Sequence, residues 1–178
     1  MTIPCLPQEL IDMIIDDLAR VNDTKALARC LLVARRFIYR CRKHLFAEIV
    51  IDSPESAENL EWILCDDPGL SAYMVNIHVR QDSWMEVNGV LPTVLTMLTS
   101  VRCLAFDTAY GYIMPWTDLP MDTREELFRV FQLPSLTDLI IRNIEDLPYS
   151  FGDNFGTLDH LALIDVSLAD TPEGRVPP

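Results

Sequence analysis

Leu136-Thr137-Asp138-Leu139-Ile140-Ile141-Arg142-Asn143 decides how the larger part of this chain is read. Its frame, Leu-x-x-Leu-x-Ile-x-Asn, alternates apolar and outward positions as a half-buried strand does. The frame recurs without the Asn as Met74-x-x-Ile77-x-Val79, Val101-x-x-Leu104-x-Phe106 and Leu158-x-x-Leu161-x-Leu163. Successive offsets are 27, 35 and 22 residues, so the period is irregular and the second interval carries an insertion. Helical patterns fit between the frames. Ser53-Pro54-Glu55 opens one that carries Leu60, Ile63 and Leu64 and stops at Asp67-Pro68-Gly69. Leu91 to Leu98 is a second, and Asp122 to Gln132 a third, with Asp122 and Glu125 at capping-box spacing.

This alternation resembles a leucine-rich repeat. The resemblance implies parallel strands lining one face of a short curved solenoid, with helices on the other side. An ordinary α/β sandwich with leucine-rich strands is the alternative. On the repeat reading, side chains flanking the frame positions point outward, and Asn76, His78, Arg80, Arg142 and His160 are the candidates for contact with a target protein. The insertion Tyr110-Gly111-Tyr112-Ile113-Met114-Pro115-Trp116 is aromatic-rich. Tyr112 and Trp116 join the candidates as binding anchors, against the alternative that this loop packs over the repeat edge. After the last frame comes a polar, Pro-rich stretch from Ala169 to Pro178 with no amphipathic cap, so either the repeat body is shorter than in the typical family member or its final strand edge stands open to a partner or to self-association.

Working back toward the amino terminus, the character of the chain changes. Residues 1 to 50 hold eight Lys/Arg and six Asp/Glu, a net +2, whereas the remainder holds six against 21, a net −15. Two differently constituted parts follow, 1–50 and 51–178. So acidic a second part repels phosphate backbones and argues against nucleic acid as a partner. The first part is helical in pattern. Leu6-Pro7 precedes Leu10, Ile11, Met13, Ile14, Ile15 and Leu18, whose apolar arc spans roughly 200° at about 100° per residue, twice the usual stripe. Either this helix is packed on two sides within its own domain, or part of the arc docks another protein. Asn22-Asp23-Thr24 offers capping side chains before Leu27, Cys30 and Leu31, and Phe37, Cys41 and Leu45 then recur at intervals of four with basic residues opposite.

Leu6-Pro7-Gln8-Glu9-Leu10, Ile14, Leu18, Leu27, Cys30 and Leu32-Val33-Ala34-Arg35-Arg36-Phe37, taken in order, resemble the F-box. Phe37 stands where that family usually has Trp, and Ala19 to Ala26 is a few residues longer than the common linker. The resemblance implies docking on the Skp-type adaptor subunit of a Skp–cullin–F-box ubiquitin ligase. By position, Leu6, Pro7, Leu10, Ile14 and Leu18 bear that contact, with Val33 and Phe37 holding the last helix. The expected architecture is therefore α/β, an amino-terminal three-helix F-box followed by a short irregular leucine-rich-repeat-like solenoid. The expected function is a substrate-recruiting adaptor, not an enzyme, with the target protein unknown. A repeat scaffold not engaged with a ligase and a hydrolase with an unrecognised site are the rivals.

Other chemistry is sparse. Cys5, Cys30, Cys41, Cys65 and Cys103 are odd in number and widely spaced, which favours a reducing compartment, cytoplasmic or nuclear. Acidic residues among the first apolar ones argue against a secretion signal, and no apolar run approaches membrane-spanning length. No glycine-rich phosphate loop is present. Cys41 and His44 lie one helical turn apart, but no second ligand pair accompanies them, so neither metal nor cofactor is expected. Asp16-Asp17 reads as a solvated helix face.

Overall fold

The apolar spacing at the amino terminus produces three short helices, α1 (Gln8–Arg20), α2 (Thr24–Cys30) and α3 (Arg35–Leu45). These come from a computed structural model that describes residues 6–81, 89–108, 112–152, 155 and 158–169. Pro7 precedes the first turn of α1, where a missing N–H costs nothing, and its carbonyl accepts from Ile11 N–H at 3.3 Å. Asn22 turns the chain with φ 56°, and the Asp23 carboxylate then caps α2 by accepting from Ala26 N–H at 2.9 Å. Ile11 and Ile15 from α1, Leu27 from α2 and Cys41 from α3 form the centre of this unit. The chain divides into two compact units, Met1–Glu48 and Ile49–Pro178, two residues before the expected boundary.

The second unit is mixed α/β, with a six-stranded parallel sheet. Its strands are β1 (Glu48–Ile51), β2 (Asn76–Gln81), β3 (Cys103–Thr108), β4 (Met114–Pro115), β5 (Asp138–Leu147) and β6 (His160–Leu168). Its helices are α4 (Pro54–Asp66), α5 (Val90–Met97) and α6 (Met121–Phe131). Ser53 and Ser56 cap α4 reciprocally, with Pro54 at its first position. The capping box expected at Asp122 does not form. Helix α6 begins one residue earlier behind Pro120, and Asp122 sits in its first turn, where its charge opposes the positive end of the dipole.

Strands run β1, β2, β3, β5, β6 across the sheet, so every crossover steps in the same direction. Right-handed crossovers then carry the intervening helices over one face. Ile77, Val79, Leu104, Phe106, Leu139 and Ile141, all frame positions, are buried there, together with Leu64, Leu95 and Leu127 from the helices. The four frames stand side by side. Ile77 pairs with Leu104, Leu104 with Leu139, and Leu139 with Leu161. Ahead of β3, β5 and β6 the same backbone junction returns. Val75 O accepts from Arg102 and Cys103 N–H, Arg102 O from Thr137 and Asp138, and Thr137 O from Asp159 and His160, all between 2.8 and 3.0 Å.

Two departures from the frame have physical causes. The insertion in the second interval lets the chain leave β3 and return as β4 to the same flank of β5, where Met114 pairs with Ile144. In the fourth frame, Leu161 and Leu163 remain 44% and 39% exposed. Each of the three earlier frames follows a full helix, whereas only a 3-10 turn, Tyr149–Gly152, is described between β5 and β6.

Candidate interaction surfaces

In the first unit the wide apolar arc of α1 is divided. Ile11 and Ile15 turn inward and are buried, while Leu10, Met13 and Ile14 stand 44%, 62% and 49% exposed. Leu6, just ahead of the helix, is also exposed, as is Pro7. Gln8 Nε2 donates to Arg36 O at 3.1 Å, and Arg36 Nη1 donates to Leu6 O at 3.1 Å. These bonds bring the start of α1 to the start of α3, immediately after the exposed Leu32 and Val33. Leu18 and Phe37 lie elsewhere, packed against the inner cluster. Phe37 therefore serves as an internal aromatic plug, and Val33, expected to hold the last helix, faces outward instead because α2 ends at Cys30.

Whereas its neighbour Asp17 lies on the solvated face, Asp16 is a paired, partly exposed acid. It receives Arg40 Nε at 2.6 Å and Arg40 Nη2 at 2.5 Å, and lies 2.7 Å from His44 Nε2. The bidentate guanidinium, then His44, hold its carboxyl well below the usual carboxylate range. Sequence reasoning missed this clamp, and with it the part His44 plays. Cys41, one turn from His44, is buried, and desolvation followed by the nearby Cys30 pushes its thiol up to about 11. Among the described residues no group of three or more His, Cys, Asp or Glu is placed to hold a metal ion.

In the second unit the sheet face opposite the frame positions carries three cross-strand rows. The first is Asn76, Cys103, Asp138 and His160, and the second is His78, Ala105, Ile140 and Ala162. Arg80, Asp107, Arg142 and Ile164 make the third. Small and apolar side chains thus floor the middle, with polar rows on either side. At the carboxyl ends of the strands the third row opens into a cleft of about 410 Å³, which His78, Thr108, Asn143 and Asp165 also line. Asp107 is engaged there twice, by Arg142 Nη1 at 3.4 Å and Asn143 Nδ2 at 3.2 Å.

Three of the expected target-contact residues, His78, Arg80 and Arg142, therefore meet at one cleft, while Asn76 and His160 lie in the row at the other end of the strands. Of the aromatic insertion, Tyr110 and Gly111 lie outside the described residues. Tyr112 is exposed, and its carbonyl accepts from Thr108 Oγ1 at 2.6 Å. Trp116 is only 2% exposed and meets Phe128 edge-on, ring centroids 5.4 Å apart, so its side chain is a packing element of the unit. The candidate that sequence reasoning passed over is Asp165. It occupies the position in the fourth frame that Asn143 holds in the third, and both take positive φ, 53° and 57°. The shared position after the last apolar residue of the frame was the available signal.

Cys103 is the thiol nearest to this face's ionisable groups. Burial and then the adjacent Asp138 push it up, opposite to the activation that a nucleophile needs. No helix among the described residues is long and apolar enough to cross a membrane. No family model, curated protein or solved structure matches this chain.

Proposed function

We propose that this protein is a substrate-recruiting adaptor of a Skp–cullin–F-box ubiquitin ligase, docking through its first unit and presenting a target on its second. One observation carries the reading: α1 fills the core of a small helical unit with Ile11 and Ile15, yet leaves Leu10, Met13 and Ile14 in water beside Leu6. A unit of this size has little interior to spare, so holding that much apolar surface outward fits a face kept for a partner. The order of Leu6-Pro7, Leu10, Ile14 and the Leu32 to Phe37 segment resembles the F-box pattern, with Phe37 in place of the usual Trp and a longer linker between the first two helices. The repeat reading of the second unit draws support from the in-register frames, the recurring carbonyl junction and the matched αL positions Asn143 and Asp165.

Such a protein acts by position. Holding a target near the transferring subunit raises its effective concentration, and no bond chemistry is asked of this chain. Co-expression with a Skp-type adaptor followed by size-exclusion chromatography tests the proposal. A one-to-one species is the expected result. A folded chain that elutes alone overturns the ligase reading in favour of a repeat scaffold.

A further inference from the structure

The cleft at the carboxyl ends of the strands has its unspent charges at opposite ends. In the middle, Asp107 is occupied by Arg142 and Asn143, which leaves that pair close to neutral. Arg80 on β2 is exposed and forms no ion pair among the described residues, and Asp165 on β6 is likewise exposed and without an ion pair there. The two termini of the cleft thus carry one positive and one negative side chain that no described residue pairs in an ion pair.

Their separation sets what fits. β2 and β6 are three strand spacings apart across β3 and β5, or about 14 Å at ~4.8 Å per spacing. An extended peptide crossing the strands covers that distance in about four residues at ~3.4 Å each, and side chains four apart in an extended chain point to the same side. Resting on the reading of this face as the target-binding surface, we infer that the cleft reads an extended segment of the target bearing an acidic and a basic side chain four residues apart. The acid lies over Arg80 and the base over Asp165. The residue midway between them lies over the Asp107–Arg142 pair and needs no charge.

The test uses the full chain with labelled isoleucine methyls, since Ile140 and Ile164 flank the cleft. Two blocked peptides serve as probes, one with glutamate before and one with lysine before a shared Ala-Val-Ala spacer and the opposite charge after it. A third carries glutamine at both ends. At least one charged order is expected to shift both methyls saturably, with the glutamine peptide about tenfold weaker, as lost charge-assisted contacts require. In the double variant Arg80→Glu with Asp165→Lys, the preferred order is expected to reverse. Equal binding of all three peptides, an unchanged order in the double variant, or no methyl shift up to about 1 mM overturns the assignment. Adaptor capture is scored on the same samples. Peptide failure with capture intact removes the cleft assignment alone, and lost capture with the peptide order intact removes the ligase reading alone.

Discussion

Arg40 grips Asp16 at two points, Nε on one carboxylate oxygen at 2.6 Å and Nη2 on the other at 2.5 Å, and so fastens α3 to α1. Because the folded state depresses the Asp16 pKa, its contribution to stability is fully present above the ordinary carboxylate value of about 3.9 and is lost as pH falls below it. Asp16→Asn is therefore expected to lower the stability of the first unit at neutral pH. The gap between wild type and variant should begin to narrow near pH 4 and go on closing as the pH falls toward the depressed folded value. Urea unfolding followed by helical circular dichroism at neutral and acid pH measures it, and a gap independent of pH would exclude this role for the carboxylate.

Replacing Leu10 and Ile14 together by serine should abolish capture of a Skp-type adaptor. Full burial of an exposed aliphatic is worth about 1.5–3 kcal/mol, and these two are already about half buried, so the pair accounts for about tenfold to a hundredfold in affinity, before the cost of burying two serine hydroxyls in their place. Both side chains are about half exposed, so helical content should be unchanged. Capture at wild-type affinity would refute the assigned surface.

Leu139 and Leu163 lie on the same inward face of the sheet, on β5 and β6 respectively, yet only Leu139 is fully covered. Leu139→Ala is expected to cost about 2–5 kcal/mol and Leu163→Ala less than half of that. Urea midpoints of the two variants decide. Equal losses would mean that β6 is covered as well as its neighbours.

Asn143 combines φ 57° with a hydrogen bond to Asp107. Asn143→Ala should lose both, at about 1–3 kcal/mol, because a Cβ-bearing residue without a local hydrogen bond is strained in the left-handed region. Asn143→Gly should lose only the hydrogen bond. Thermal unfolding that ranks glycine below alanine would contradict this account.

Much of the second unit was legible because one apolar spacing specified both strand and neighbour: a frame such as Leu136-x-x-Leu139-x-Ile141 fixes which side chains turn inward, and its copies align only one way. Capped starts such as Ser53-Pro54 were equally readable, since the signal is local. The Asp16–Arg40–His44 cluster was not. Its members are 24 and 28 residues apart, and nothing in Asp16-Asp17 distinguishes the clamped carboxylate from its exposed neighbour. Exposure of Leu161 and Leu163 was hidden for a related reason, because a strand's pattern states which face is apolar and not whether a helix arrives to cover it. Trp116 and Tyr112 share one composition signal and differ only in that Phe128 offers Trp116 a ring to pack on.

The carbonyls of Val75, Arg102 and Thr137 each hold the next segment by two backbone N–H groups, that of the first outward-facing residue and that of the one before it, and Thr137 Oγ1 adds a bond to Arg102 O. Alignment of neighbouring strands is thereby delegated to backbone groups that no substitution at those outward positions except proline removes. Asn76, Arg80, Arg142, His160 and their neighbours are free to vary without shifting the strands beneath them. Recognition can drift or be redesigned on this face while the scaffold that presents it is inherited intact.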